Sequence, residues 1–224
     1  MSTLWERYLA ARQGVADAAA AAGKAQDDIL LLAVSKTVPA EQIADLYAHG
    51  VRCFGENRAS VLAEKAKLLP GDIEWHYIGP LQSNKVRKVV QVASVIHSVD
   101  TPDLLARIDR IAGEEARRPR FLLEVSVSGE ESKGGIPVAE LDGLAEIADK
   151  CENAEWSGLM TMAPLAAPEP VLRGIFGRLK SECDRLERRF GRSLPLLSMG
   201  MSGDYRTAIA CGSTLVRLGT CIFS

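Results

Sequence analysis

Two strand-and-turn units near the end of the chain decide the fold: Leu197-Ser198-Met199-Gly200-Met201-Ser202-Gly203-Asp204 and Gly212-Ser213-Thr214-Leu215-Val216-Arg217-Leu218-Gly219-Thr220. In each unit, a short apolar strand is followed by a turn rich in glycine and hydroxyl residues. Glycine lets backbone N–H groups approach an anion closely. One such turn predicts only a change of chain direction, whereas two on neighbouring strands predict a phosphate site. The residues predicted to form it are Ser202, Gly203, Gly219 and Thr220.

A lysine follows an apolar strand near the other end of the chain, in Leu30-Leu31-Leu32-Ala33-Val34-Ser35-Lys36. A lysine at this position is either an ordinary solvated side chain or the amine that attacks a carbonyl. The second interpretation is favoured because an apolar surrounding stabilises the uncharged, nucleophilic amine. Lys85 and Lys133 are the other candidates, but a helix start and a glycine-rich loop hold a reactive atom less rigidly. With the phosphate site, Lys36 predicts a phosphorylated aldehyde bound as an imine.

Strands and helices alternate along the whole chain, with no linker or low-complexity segment between them. We predict eight strands, over residues 29–35, 52–54, 74–79, 95–99, 120–127, 155–160, 196–199 and 215–219. Such alternation is typical of a parallel sheet. Eight units in 224 residues favour a closed (β/α)₈ barrel, here a single domain over residues 1–224. The alternative is an open doubly wound sheet, which usually carries a G-x-G-x-x-G turn that this chain lacks.

Charge and composition exclude several classes of partner. The chain has 27 Lys and Arg against 29 Asp and Glu, a net charge of −2, which gives no basis for binding nucleic acid or an acidic membrane. No apolar run reaches membrane-spanning length, and the N-terminus does not resemble a signal peptide, so we expect a cytoplasmic protein. The five cysteines are widely spaced without a C-x-x-C, which argues against disulfides and zinc and predicts small buried side chains.

Arg217 is unusual because it lies inside an apolar strand. A buried guanidinium needs partners, so Arg217 either pairs with a carboxylate at the barrel mouth or contacts a ligand. If the ligand is a pyridine ring, arginine can donate a hydrogen bond to the ring nitrogen but cannot transfer a proton to it. The ring would then be a weak electron sink, which limits the carbanion chemistry that it can support.

The remaining polar residues at the strand ends allow more than one interpretation. Asn57 either hydrogen-bonds beside a ligand ring or caps the helix that follows it. His76 and His97 lie inside strands, which predicts core histidines with satisfied hydrogen bonds. Asp204 is expected to cap a short helix or to face away from the phosphate. The strand ends contain no acidic cluster and no histidine pair, which argues against metal-dependent hydrolysis, and we predict no metal site.

Several long motifs resemble those of a known family. They are Ala33-Val34-Ser35-Lys36-Thr37, Phe54-Gly55-Glu56-Asn57, Trp75-His76-Tyr77-Ile78-Gly79-Pro80-Leu81-Gln82-Ser83-Asn84-Lys85, Ser132-Lys133-Gly134-Gly135, Gly158-Leu159-Met160, and the ranges 197–204, 208–209 and 216–223. With these motifs, the chain resembles the pyridoxal phosphate homeostasis proteins, which are single-domain relatives of the N-terminal barrel of alanine racemase. The resemblance covers nearly the whole chain.

The resemblance implies a role for each site residue. Lys36 would carry pyridoxal 5'-phosphate as an imine, Arg217 would meet the pyridine nitrogen, and Asn57 would lie against the ring. Ser202, Gly219 and Thr220 would hold the phosphate. The chain departs from the family pattern at three points: Val38 replaces a frequent basic residue, Tyr77 replaces the usual phenylalanine, and the chain stops at Ser224, before the usual short tail.

The residues favour a cofactor carrier over an enzyme. Racemisation needs an acid or base on each face of the cofactor, and Lys36 can serve only one face. In full-length racemases the second group is a tyrosine from another domain, and by motif none of the four tyrosines of this chain takes that role. We therefore expect a monomeric protein that stores pyridoxal phosphate and delivers it to apo-enzymes, with Lys133 as a transient acceptor. The alternatives are an amino-acid racemase and an imine-forming aldolase, which would need an acid beside Lys36.

Overall fold

The computed structural model of the protein describes residues 2–128 and 134–224. These residues form nine strands, numbered in chain order. They are β1 (Leu30–Val34), β2 (Cys53–Glu56), β3 (Glu74–Tyr77), β4 (Val95–Val99), β5 (Arg120–Ser126), β6 (Ile136–Pro137), β7 (Glu155–Met160), β8 (Leu196–Met201) and β9 (Leu215–Leu218). Each strand runs parallel to the strands with which it pairs.

Eight of these strands form a closed ring in the order β1-β2-β3-β4-β5-β7-β8-β9. The ring closes where β9 returns to β1, with Leu30 opposite Leu215 and Ala33 opposite Leu218. The two-residue strand β6 pairs only with the end of β5 and lies outside the ring. The predicted (β/α)₈ barrel is therefore confirmed, and the open doubly wound sheet is wrong.

Helices connect the strands and cover the outside of the barrel. They are α1 (Leu4–Ala21), α2 (Ala40–Ala48), α3 (Ala59–Leu68), α4 (Val86–Val90), α5 (Pro102–Glu114), α6 (Leu141–Ala148), α7 (Glu169–Phe190), α8 (Tyr205–Ala210) and α9 (Thr220–Phe223). A capping box of Thr3 and Glu6 starts α1, and Gly191 in the left-handed conformation (φ 61°) ends α7. Within residues 2–128 and 134–224, no helix combines the length and the apolar character needed to cross a bilayer.

The sequence did not indicate α9. The sequence predicts a phosphate turn at Thr220 after the last strand, but Thr220 begins a short helix instead. A tertiary contact explains the difference: the Arg7 guanidinium of α1 donates a hydrogen bond of 2.8 Å to the Ile222 carbonyl of α9. The last helix therefore packs on the first, directly beside the mouth of the barrel.

The interior of the barrel is only partly apolar. Val95, Leu122 and Met160 form a small apolar layer inside the ring, separate from the larger core between strands and helices. The prediction that the cysteines are small buried side chains holds only for Cys183. The other four are partly or fully accessible, and Cys221 is exposed. Buried polar side chains also lie in the barrel, among them His76, His97, Ser198 and Arg217.

Candidate functional site

A cavity of about 930 Å³ opens at the C-terminal ends of the strands. This is the end at which (β/α)₈ barrels collect their functional residues, because every strand of a parallel ring ends on the same side. The cavity is lined by all six residues predicted to bind the ligand: Lys36, Asn57, Ser202, Arg217, Gly219 and Thr220. Residues separated by up to 184 positions in the chain thus share one site.

Lys36 lies at the rim of this cavity, just beyond the end of β1, and its side chain is exposed to solvent. The other two candidate lysines differ from it in position. Lys85 ends a short 3₁₀ helix and does not line the cavity. Lys133 lies outside the described residues. Among the lysines described, Lys36 is the one that lines the same cavity as Arg217 and the predicted phosphate turns.

A buried ion pair supports both Lys36 and Asn57 from behind. Glu56, which precedes Asn57, is fully buried and pairs with the buried ammonium group of Lys65. The same Glu56 oxygen accepts a hydrogen bond of 2.9 Å from the Ser35 hydroxyl, and Lys65 also donates to the Ser35 carbonyl at 2.9 Å. Since Ser35 precedes Lys36, one network fixes the backbone beside two site residues. The sequence does not indicate this network, because a lysine at the seventh position of a helix is normally a solvated side chain.

Asn57 is positioned by a close contact between the ends of β2 and β3. A Cβ atom on Gly79 would lie 2.2 Å from the Asn57 carbonyl oxygen, so only glycine allows this contact. Asn57 does not cap the next helix, since Arg58 occupies the N-cap position of α3. The Asn57 Oδ1 atom is buried and has no hydrogen-bond partner. A buried acceptor without a partner is uncommon and indicates a place where a ligand donates.

Arg217 is buried at the base of the cavity and is held by carbonyl and hydroxyl oxygens. Its Nη1 donates to the Ser198 carbonyl at 2.9 Å and to the Ser198 hydroxyl at 2.6 Å, and its Nη2 donates to the Thr161 carbonyl at 3.0 Å. Within the described part of the chain, no carboxylate lies within ion-pair distance of Arg217, although the charges of Glu124 and Asp204 act on it. Burial lowers the pKa of Arg217 to about 10, which still leaves the guanidinium charged at pH 7.

A chain of buried polar side chains leads from Arg217 down the barrel. The Ser198 hydroxyl lies 3.0 Å from His97 Nδ1, and His97 Nε2 lies 2.9 Å from His76 Nδ1. Both histidines are fully buried, as predicted, and burial lowers the pKa of each, so both rings are neutral at pH 7. The prediction that their hydrogen bonds are satisfied fails at one atom, because His76 Nε2 makes no hydrogen bond of good geometry, although Glu74 Oε1 lies 3.4 Å from it.

The two predicted phosphate turns meet at the mouth of the barrel. The Gly219 amide donates to the Ser202 hydroxyl at 3.4 Å, which joins the turn after β8 to the turn after β9. Gly200, with φ at 97°, allows α8 to approach β8, since a Cβ atom there would lie 2.9 Å from the Tyr205 Cα. Asp204 is the N-cap residue of α8, but its carboxylate accepts from the Met201 amide and does not cap the helix. Its negative charge is thereby tied to the backbone of its own turn.

A smaller cavity of about 190 Å³ adjoins the main one and shares Ile78, Pro80 and Met162 with it. It contains Glu124 and Asp100, which sequence reasoning did not single out. Burial, together with the charge of Asp100, raises the pKa of Glu124 to about 7. Glu124 lies in the middle of an apolar strand, and no motif distinguishes it from a carboxylate at the surface.

Comparison with known proteins assigns the family. The model of the alanine racemase N-terminal domain matches residues 15–224. A pyridoxal phosphate homeostasis protein of Aquifex aeolicus is 40% identical over 220 residues, which are 97% of this chain and 96% of that protein. The chain belongs to the pyridoxal phosphate homeostasis protein family. The resemblance found in the motifs is thus confirmed over nearly the full length.

Solved structures of relatives agree with this assignment. PipY of Synechococcus elongatus has been solved with pyridoxal phosphate bound; it is 36% identical to this chain, with a TM-score of 0.83 over 94% of this chain and 100% of that chain. Without the cofactor, PipY is 38% identical, with a TM-score of 0.85 over 88% and 93% of the two chains. An alanine racemase of Clostridium difficile shares only the fold, with 15% identity and a TM-score of 0.73 over 95% and 56%.

The buried ion pair behind the site gives a stability prediction. Lys65→Met leaves the Glu56 carboxylate buried without a counter-charge, so the free energy of unfolding should fall by about 3–5 kcal/mol. In the double variant Glu56→Gln/Lys65→Met no charge is left unpaired, and the loss should be smaller than in Lys65→Met. Urea denaturation followed by circular dichroism measures both.

Lys67→Met is the matched control, because Lys67 lies on the same helix but is exposed. It should change the free energy of unfolding by no more than about 0.5 kcal/mol. An equal loss of unfolding free energy in Lys65→Met and Lys67→Met would show that the buried ion pair does not stabilise the protein.

Proposed function

We propose that the protein binds pyridoxal phosphate in the main cavity, through Lys36, and stores and delivers this cofactor. Residues 1–224 act in this proposal as a single cofactor-binding domain, and the chain works as a monomer that supplies apo-enzymes. The observation that carries the proposal is that Lys36, Asn57, Arg217 and the two phosphate turns line one cavity. Family membership and the cofactor bound to PipY support it.

The residues present fit the cofactor. The aldehyde of pyridoxal phosphate requires an amine, and its ring nitrogen requires a hydrogen-bond donor. Its phosphate requires hydroxyl and N–H groups. Residues that line the cavity carry each of these groups. The unpartnered Asn57 Oδ1 is an acceptor that a ligand can satisfy. When bound, pyridoxal phosphate supplies an electrophilic aldehyde and an electron-withdrawing ring. Lys36 would hold the aldehyde, and its place at the exposed rim leaves it accessible for exchange.

Arg217 limits what the bound cofactor can do. Its guanidinium can donate a hydrogen bond to the ring nitrogen, but at neutral pH it keeps its own protons. A protonated ring nitrogen makes the ring a strong electron sink, and Arg217 does not provide that proton. The carbonyl and hydroxyl oxygens that hold Arg217 also fix its direction, since three hydrogen bonds restrain the guanidinium plane. Arg217 thus favours holding the cofactor over activating it.

The phosphate would lie between the turns after β8 and β9. Ser202 and Thr220 provide hydroxyl groups there, and the first N–H groups of α8 and α9 have no partner within their own helix. Asp204 also lines the cavity. Its carboxylate accepts a hydrogen bond from the Met201 amide, so its charge interacts with the backbone of the turn after β8. This arrangement explains how an aspartate can belong to a turn that receives an anion.

A second candidate function, amino-acid racemisation, rests on Glu124. Among the described residues that line the main cavity, the titratable side chains besides Lys36 are Asp204, whose carboxylate accepts a hydrogen bond from the Met201 amide, and Arg217, which keeps its protons at neutral pH. Tyr77 does not supply a second acid or base, because its hydroxyl donates to the Pro80 carbonyl at 3.1 Å. Glu124 lies in the adjoining cavity, and its pKa of about 7 suits the second acid or base that racemisation requires.

Cofactor transfer and turnover distinguish the two functions. Protein loaded with pyridoxal phosphate should activate an added apo-enzyme, while its own racemisation of alanine should stay below about 1 s⁻¹, the lower end of typical enzyme rates. Lys36→Ala should abolish loading, as followed by absorbance, and the matched Lys85→Ala should load normally. Racemisation at about 1 s⁻¹ or faster that is lost in Glu124→Gln would replace the carrier by an enzyme. If the loaded protein fails to activate the apo-enzyme, the proposed delivery of the cofactor is wrong.

The phosphate turns give a separate prediction about affinity. Ser202→Ala removes a hydroxyl that would bond to an anion, so the affinity for pyridoxal phosphate should fall by roughly 10- to 100-fold. The affinity for pyridoxal, which has no phosphate, should not change. Ser193→Ala is the control, since Ser193 is exposed and precedes β8 at the opposite end of the barrel. Equal losses for pyridoxal and its phosphate, measured by fluorescence titration, would place the phosphate elsewhere.

A further inference from the structure

A second polar cluster lies at the N-terminal mouth of the barrel, opposite the cofactor cavity. Cys53 begins β2 and Glu74 begins β3, and the two are direct partners in the parallel register. His76 follows two residues after Glu74, so it points to the same face of β3. Parallel pairing thus brings a thiol, a carboxylate and an imidazole together at the start of two neighbouring strands.

The three side chains are close enough to share one ion. Their ligand atoms all lie within 4.8 Å of one another. The Cys53 Sγ is 3.5 Å from Glu74 Oε2, and His76 Nε2 is 3.4 Å from Glu74 Oε1. Zinc–ligand bonds of about 2.0–2.3 Å hold tetrahedral ligands roughly 3.5 Å apart. A pair of ligand atoms at the 4.8 Å limit would therefore need to approach by roughly 1 Å on binding.

His76 is an independent indication of a ligand. Its ring is fully buried, and Nε2 makes no hydrogen bond of good geometry, although Glu74 Oε1 lies 3.4 Å away. The other nitrogen, Nδ1, is 2.9 Å from His97 Nε2. If Nδ1 carries the proton and donates to His97, Nε2 presents a lone pair toward Cys53 and Glu74. Metal-bound histidines almost always donate their second nitrogen in this way, which fixes the tautomer and the ring orientation.

Glu74 has a similar outer partner. The Arg120 guanidinium donates to Glu74 Oε1, and Oε2 faces the Cys53 thiol. One oxygen is thus held by an arginine while the other is directed at the cluster. Arg120 also opposes a bound cation by its charge, which weakens the site without blocking it.

We propose that Cys53, Glu74 and His76 form a binding site for Zn²⁺ at the N-terminal mouth of the barrel. The donor set of one sulfur, one carboxylate oxygen and one imidazole nitrogen suits this borderline-soft ion, and water completes the tetrahedron. Binding replaces the proton of the Cys53 thiol by the metal, and that proton passes to solvent. The site is separate from the cofactor cavity, so it does not depend on the function proposed above.

Cobalt and zinc titrations test this site on the full-length protein. Co²⁺ should bind with a one-to-one stoichiometry and produce a near-ultraviolet thiolate-to-cobalt charge-transfer band. Zn²⁺ should displace it. Cys53→Ser should remove the band and weaken Zn²⁺ binding at least about tenfold, the loss seen when even an outer-shell partner is removed. Circular dichroism confirms that the variant folds, since serine is a small change at a half-buried position.

Cys151→Ser is the matched control, because Cys151 is also half-buried but follows α6, away from β2 and β3. It should keep both the band and the affinity. The proposal is overturned if the unmodified protein shows no thiolate band, if the band persists in Cys53→Ser, or if Cys151→Ser loses it as well. The last two results would mean that the metal binds to other cysteines.

Discussion

The parallel pairing of β1 with β9 is the interaction on which the rest of the structure depends. It joins the first strand to the last and turns an open sheet into a ring. Lys36 follows β1, and the turn of Gly219 and Thr220 follows β9, so the same pairing places an amine beside a phosphate turn. Gly219 lies so close to β1 that an added Cβ would be 3.2 Å from the Val34 carbonyl. Without this pairing, neither half of the site would be complete.

The barrel contains a row of buried polar side chains where many barrels of this fold are filled by apolar ones. Contacts run from Arg217 through Ser198, His97 and His76 to Glu74, and so connect the two mouths. Burying these groups is unfavourable unless each finds a partner, and most of them do. These hydrogen bonds fix the orientation of Arg217 at the cofactor mouth and the orientation of His76 at the opposite mouth. Two separate sites therefore share one interior network.

Much of the fold and of the main site could be predicted from the sequence, because both leave local signals. Eight apolar strands separated by helices indicate the barrel, and a lysine or a glycine-rich turn at a strand end indicates the cavity. Pairs of residues that meet through strand register leave no such signal. Glu56 with Lys65, and Cys53 with Glu74, are ordinary polar residues until the register brings them together. The last helix was missed for a related reason, since its contact with Arg7 is tertiary.

The proposed cofactor site depends most on the identity of the lysine that holds the cofactor. Reduction of the loaded protein with borohydride, followed by peptide mapping, tests it directly. If Lys36 holds the cofactor, one pyridoxyl-modified peptide should appear, with the modification on Lys36 and a matching change in absorbance. Modification of a different lysine, or a protein that stays colourless when pyridoxal phosphate is added, would contradict it.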